Sequence, residues 1–387
     1  HECSSAASDV YKRQTLDERI SSESKVGNNL FTSLDLKSHQ AAHKALNKRK
    51  GAVVAIDIND GSIVTLFSSP TFSTNQLANG ILQKDFDELL LSEEKPFFNR
   101  ALRGRYPPAS SIKPAIAMYG IEEGLIDWNF SIFDEGFFTL PEDGRIYRDW
   151  KEGGHGDTNL FKAITQSSNT YFFDLAYRSD INQLNKHLSS LGFGDKACID
   201  CFEEDQVFVP EPSWKMNKHN FGWFKGDTVN MGVGQGYLVS TPIQLAKYAY
   251  IMANKGKFSD LSLKKDLVKS EKSIEFNKFS NDDWFKLHES MVNVIEGNTG
   301  TARRLRERKN YIVAAKTGTA ELVSGDNREQ YSETRLDDSL RDHALIIAFG
   351  PMPNPRYAVS VVVENGESGG SVAGPVAISV LNSLIQE

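Results

Sequence analysis

Long apolar runs are absent from this sequence. No stretch reaches the ~18 consecutive apolar residues that a membrane-crossing helix requires. The most apolar segments, "HALIIAFGPM" and "YAVSVVVENG", have the length of strands. A surplus of basic charge is missing too. Lys and Arg number 44 against 51 Asp and Glu, for a formal net charge of −7. No basic stripe of the kind that follows a phosphate backbone is present, which argues against nucleic acid as a partner. Lys48-Arg49-Lys50 is too short to supply one and reads as a solvated helix end. Cysteine is scarce, with 3 in 387 residues. Cys198 and Cys201 form a lone C-x-x-C, and without a second pair they cannot make a four-ligand zinc site. The βαβ context of a redox motif is lacking as well, so they read as two loop or strand cysteines, bridged or free. Residues 1–14, "HECSSAASDVYKRQ", have neither periodicity nor a signal-peptide layout and are read as foreign to the fold.

The rest of the chain is globular in its apolar, aromatic and charged fractions. "LKSHQAAHKALNK" reads as an amphipathic helix, and "GAVVAIDI" and "SIVTLFSS" as strands joined at "NDG". Residues 121–165 are aromatic, Gly-rich and irregular, and 195–230 are loop-rich. "NTYFFDLAYR", "INQLNKHLSSLG" and "STPIQLAKYAYIMANKG" read as helices, the last opened by Pro242 and closed by Gly256. After a charged middle come three strand patterns, "YIVAAKTGTAEL", "HALIIAFGPM" and "YAVSVVVENG", then a helical end. The simplest arrangement is α+β. A five-stranded antiparallel sheet carries the terminal helices on one face and a helical block on the other.

Three constellations carry chemistry. In "YPPASSIKPAIAMYG", Ser110 and Lys113 lie three apart, hence on one helical face, and Pro114 fits best in a first helical turn. The lysine nitrogen can then reach the serine hydroxyl, and a free N–H at the helix start suits acyl transfer. Alone, the pattern is equally a capped helix with an exposed lysine. In "ITQSSNTYFF", Ser167 and Asn169 offer a proton relay and an amide, or else an ordinary helix cap. In "IVAAKTGTAEL", Lys316 interrupts a buried-looking strand. Gly318 leaves room for another backbone, and a peptide could add along the strand. Alone, this is a strand end with an exposed lysine. The glycines of "MGVGQGY" suggest a phosphate loop, but no G-K-[ST] or G-x-G-x-x-G follows. His343, in "RDHALII", is the one histidine in these motif regions and reads as structural.

S-x-x-K, S-x-N and K-T-G-T in that order resemble the penicillin-binding protein and serine β-lactamase superfamily. "YPPASSIKP", "YRDWKEGGHG", "GDTVNMGVGQGY", "TPIQLA", "KTGTAE", "LRDHALIIAFGP" and "VVVENG" narrow the resemblance. They are similar to the transpeptidase domain of the elongation-specific class B penicillin-binding proteins of Gram-negative bacteria, the penicillin-binding protein 2 group. The likeness covers residues 29–387, leaving 15–28 as a remnant of a pedestal or linker. It implies the penicillin-binding transpeptidase fold, with an all-helical subdomain.

The resemblance also implies roles. Ser110 is the nucleophile toward the D-alanyl-D-alanine end of a stem peptide, and neutral Lys113, depressed by burial beside Lys316, takes its proton. The N–H groups of Ser110 and Thr319 form the oxyanion hole. Ser167 relays a proton, Asn169 holds the peptide amide, and Lys316, Thr317 and Thr319 bind the terminal carboxylate around Gly318. β-Lactams acylate the same serine. A RodA-type glycan polymerase and the MreC scaffold are the implied partners in lateral wall growth. An inner-membrane anchor outside this sequence and a periplasmic domain are implied too. Members of the group can hold zinc with two Asp, one His and one Cys. Asp134, Asp149 and His155 match, but Ser168 stands at the cysteine position. A neutral hydroxyl is a poor zinc ligand, so no required cofactor is expected. The rival readings are a serine β-lactamase, for which no deacylating glutamate is evident near the motifs, and a non-catalytic β-lactam sensor or scaffold.

Overall fold

Asp57 turns the first hairpin by accepting the N–H of Asn59 at 2.9 Å. In the computed structural model, which describes residues 27–267, 269–322 and 340–385, the chain from Ser33 onward builds around one sheet. Residues 1–14 and most of 15–28 lie outside the described residues. α1 (Leu36–Leu46) precedes β1 (Gly51–Asp57) and β2 (Ile63–Ser69). The central helices are α2 (Lys113–Glu122), α3 (Leu160–Gln166), α4 (Asn169–Arg178), α5 (Lys225–Gly232), α6 (Pro242–Ala253) and α7 (Asn281–Glu296). β3 (Ala314–Ala320), β4 (His343–Gly350), β5 (Tyr357–Val363) and α8 (Gly374–Ile385) complete the framework.

The five strands are ordered β2-β1-β5-β4-β3, and every pairing is antiparallel. β3 is therefore an edge strand, paired on one side with β4 in the register Thr319 opposite Ala344. Side chains alternate between the two faces. Val53, Ala55, Val359 and Val361 pack with Ala42 and Leu46 of α1 and with Val376, Val380 and Leu381 of α8. Ala52, Val54, Ile56, Leu345 and Ile347 face the helical block, where Ile116, Phe172, Tyr248 and Leu287 continue the same core. Coverage on both faces explains why β5 is buried throughout and apolar but for Ser360.

Three stretches differ from the sequence reading. The charged middle contains α7, 16 residues long. Ser280 and Asp283 form its capping box, and Trp284, Leu287, His288, Met291, Val294 and Ile295 make its buried stripe. The loop-rich stretch 195–230 contains Pro212–His219 and α5, tied together by a buried Lys215–Asp227 ion pair. The irregular stretch 121–165 includes two short ribbons, Ser131–Asp134 with Gly156–Asn159 and Phe137–Thr139 with Ile146–Arg148. Cys198 and Cys201 are joined in a disulfide.

Candidate active site

Ala109–Ile112 forms a 3-10 turn that runs directly into α2, with Pro114 at the helix start. The expected helix at Ser110 thus begins as a tighter turn. Gly318 lets β3 lie against it: a Cβ there would meet Pro108 O at 3.2 Å and Ser111 N at 3.4 Å. The edge strand and the serine turn are in contact because that residue has no side chain.

Ser167 separates α3 from α4. It sits in the left-handed region at φ 61°, which breaks the helix and leaves carbonyls without intrahelical partners. Lys113, fully buried, supplies them. Its Nζ donates to Ser167 O at 2.8 Å, Ser168 O at 3.1 Å and Asn169 Oδ1 at 2.6 Å, and lies 3.4 Å from Ser167 Oγ. Sequence reasoning aimed this amine at Ser110. Among the described residues no hydrogen bond joins the two, because the unpaired carbonyls at the helix break attract the cation more strongly. Lys316, also fully buried, donates to Ser167 Oγ at 2.8 Å and to Thr317 O at 3.2 Å. Two amines from distant parts of the chain thus converge on one serine hydroxyl.

Burial lowers the Lys113 amine to about 7, against the opposing pull of Asp149 and Asp134. Burial, and then the charge of Lys113, push Lys316 well below its ordinary value. The second-cation effect expected on Lys113 therefore falls on Lys316. Lys113 is the amine with carboxylates nearby, which favour its charged form, whereas Lys316 has only the neighbouring cation.

Asp134, Asp149 and His155 come together with Ser168, as the family resemblance implied. His155 Nδ1 is 2.8 Å from Asp134 Oδ2 and 3.9 Å from Asp149 Oδ1. Ser168 Oγ donates to Asp134 Oδ2 at 2.7 Å. Asp149 Oδ2 accepts the N–H groups of Asn169 at 2.6 Å and Thr170 at 2.9 Å, capping the positive end of α4. Burial raises the Asp134 carboxyl, but hydrogen bonds from His155, Ser168 and Gly136 outweigh it and hold it below the usual carboxylate range. The donor set does not fit tight zinc binding. Its fourth member is a neutral hydroxyl, and the carboxylate oxygens already accept protein donors. His155 Nε2, the ring nitrogen away from Asp134, is buried without a partner.

Sequence reasoning missed three neighbours. Trp150 is exposed, and its indole N–H donates to Gln166 O and Ser167 O, each at 3.2 Å. Thr301 Oγ1 lies 2.7 Å from Thr317 Oγ1. Gln235 Nε2 donates to Thr319 O at 3.2 Å. Trp150 and Gln235 lay inside quoted stretches, "YRDWKEGGHG" and "MGVGQGY", but neither was given a role there. Thr301 comes from a loop with no chemical signature of its own.

An antiparallel five-stranded sheet between terminal helices and a helical block, with a serine turn against its edge strand, is the architecture of the penicilloyl-serine transferases. Residues 51–382 match the family described as the penicillin binding protein transpeptidase domain. This chain belongs to that family. It is 40% identical over 356 residues to the peptidoglycan D,D-transpeptidase MrdA of Acinetobacter baumannii, covering 90% of this chain and 52% of the relative. With MrdA of Escherichia coli K12 the identity is 33% over 367 residues, covering 93% and 58%. The chain thus spans about half the length of the curated relatives it matches. A solved structure of Pseudomonas aeruginosa PBP2 in complex with WCK 5153 superposes with TM-score 0.84 at 35% identity, over 93% of this chain and 79% of that one. The PBP2 of a PBP2–MreC complex from Helicobacter pylori gives 0.84 at 30% identity, over 94% and 65%.

Proposed function

We propose that this chain is a peptidoglycan D,D-transpeptidase that cross-links stem peptides through an acyl-enzyme on Ser110. The observation that carries the reading is the convergence of two buried amines, Lys113 and Lys316, on Ser167 Oγ at 3.4 and 2.8 Å. In the first half-reaction Lys113 takes the Ser110 proton, and Ser110 Oγ bonds the carbonyl carbon of the penultimate D-alanine. The N–H groups of Ser110 and Thr319 hold the tetrahedral oxyanion. The C–N bond then breaks. The proton on Lys113 passes through Ser167 to the terminal D-alanine, which leaves as an amine. Lys316, Thr317 and Thr319 hold its carboxylate, and Asn169 the peptide amide. In the second half an amine from a neighbouring stem peptide attacks the ester, forms the new amide and returns the proton to Ser110. Water in place of that amine gives D,D-carboxypeptidation.

No cofactor is required in this scheme, and no step passes through a metal. The setting we propose is lateral wall growth and cell-shape maintenance, with a RodA-type glycan polymerase and MreC as partners. The H. pylori PBP2–MreC complex supports the latter. A 26% identical chain from a structure on polymerization and crosslinking by a peptidoglycan synthase complex supports the former. The proposed location is the periplasmic face of the inner membrane, with the anchor outside these residues. Among the described residues no helix is long and apolar enough to cross a membrane.

The test is intact mass against time after mixing with penicillin, beside Ser110→Ala. A persistent one-to-one adduct that the variant lacks supports acylation on Ser110, and cross-linking of stem peptides then separates transpeptidase from sensor. An adduct that vanishes as penicillin is consumed indicates a β-lactamase. No adduct overturns the mechanism.

A further inference from the structure

The loop "GVGQGY" lies against the serine turn. Ala109, next to Ser110, donates its N–H to Gly234 O at 2.8 Å. Gly234 has φ +72°, and a Cβ there would meet Ala109 O at 2.2 Å, so only glycine allows this approach. Gln235 N–H is held by Asn230 O at 3.0 Å, and Gly234 N–H by Met231 O at 2.9 Å. The backbone on both sides of Gln235 is fixed. Its side chain is half-buried and reaches across to Thr319 O at 3.2 Å.

That contact reveals the direction of the edge strand. In a β-strand the N–H and C=O of one residue point to the same side. Since Thr319 O faces Gln235 and not β4, the Thr319 N–H faces the open edge as well. An antiparallel hydrogen-bonded pair exchanges both N–H···O bonds between two residues. An acyl residue whose carbonyl oxygen sits on the Thr319 N–H therefore offers its own N–H to Thr319 O. In this structure that acceptor is taken by the Gln235 carboxamide.

We propose that Gln235 is a resident placeholder on the substrate edge of β3, displaced by acyl donors that carry an amide N–H on the acylating residue. Resting on the acyl-transfer reading above, the idea gives the glycine-rich loop a role in donor specificity. The loop stays pinned while the carboxamide rotates away, and only amide-bearing donors must expel it. In the free enzyme Gln235 keeps Thr319 O satisfied.

Penicillin G carries such an amide N–H beside its reactive carbonyl, whereas imipenem carries a hydroxyethyl group there. The experiment compares second-order acylation rate constants for both compounds with the unsubstituted chain, Gln235→Ala and Gln235→Met. Water takes the place of the carboxamide in the variants. The penicillin G to imipenem ratio is expected to rise about two- to tenfold in both, the range that a neutral hydrogen bond commands. Equal slowing by both compounds, with the ratio unchanged, overturns the placeholder in favour of a structural contact. A fall in the ratio overturns it in favour of direct contact between Gln235 and the ligand amide. Failure of both compounds to acylate the unsubstituted chain overturns the acyl-transfer reading, and the placeholder with it.

Discussion

Neutral Lys113 can take a proton from Ser110, and charged Lys113 cannot. Burial brings this amine to about 7, so the competent form dominates above that pH and is lost as pH falls through it. Acylation by penicillin should therefore rise with pH to a plateau above ~7 and drop about tenfold per unit below it. Rate constants collected from about pH 5 to 9 check this, and a flat profile would count against Lys113 as base. Lys113→Ala should slow acylation by roughly 10²-fold or more. Ser168 makes a separate residue-scale prediction. Its hydroxyl donates to Asp134 at 2.7 Å and accepts the Tyr171 N–H at 3.2 Å. Ser168→Ala removes a helix cap and a buried donor and should cost about 1–2 kcal/mol in chemical denaturation. Ser168→Cys supplies the missing thiolate beside Asp134, Asp149 and His155. It should raise bound zinc toward one per chain by metal analysis, while the unsubstituted protein stays well below that.

At the scale of elements, the sheet was legible and the longest central helix was not. β4 and β5 are largely apolar because both faces of the sheet are covered, and β3 is marked by an apolar start that Lys316 interrupts. α7 was hidden by charge. "NDDWFKLHESMVNVIE" carries Asp282 and Asp283 in the first turn, where they favour the positive end of the helix dipole. Its buried positions 284, 287, 288, 291, 294 and 295 repeat with helical spacing, so the signal was present but diluted. The site followed the same rule. The three motifs marked its residues by type, but the partners of Lys113 depended on a helix break at Ser167 whose left-handed backbone has no sequence signature. Gln235 was invisible because its role comes from a loop folded against Ala109. α7 joins the core through Leu287, so Leu287→Ala should destabilise by about 2–5 kcal/mol. A lowered midpoint in guanidinium unfolding checks it, and a loss under 1 kcal/mol would show that the helix is not an integral part of the core.

At the scale of the whole molecule, the site is assembled from separate parts of the chain. Ser110 and Lys113 open a helix of the central block, Ser167 and Asn169 flank a break between two others, and Lys316 lies on the sheet's edge strand. One continuous core joins these parts, running from Ala52 and Val54 of β1 through Ile116 of α2 and Phe172 of α4 to Leu345 of β4. A shared core of this kind unfolds as a unit, whereas loosely attached parts open at lower cost. The five tryptophans, at 128, 150, 214, 223 and 284, report on several parts of the helical region at once. Penicillin acylation and tryptophan fluorescence should therefore be lost at the same denaturant midpoint. Loss of acylation well before the fluorescence change would place the Lys316 strand and the serine turn in separately yielding units. Their contact at Gly318 would then be a weak seam in the fold.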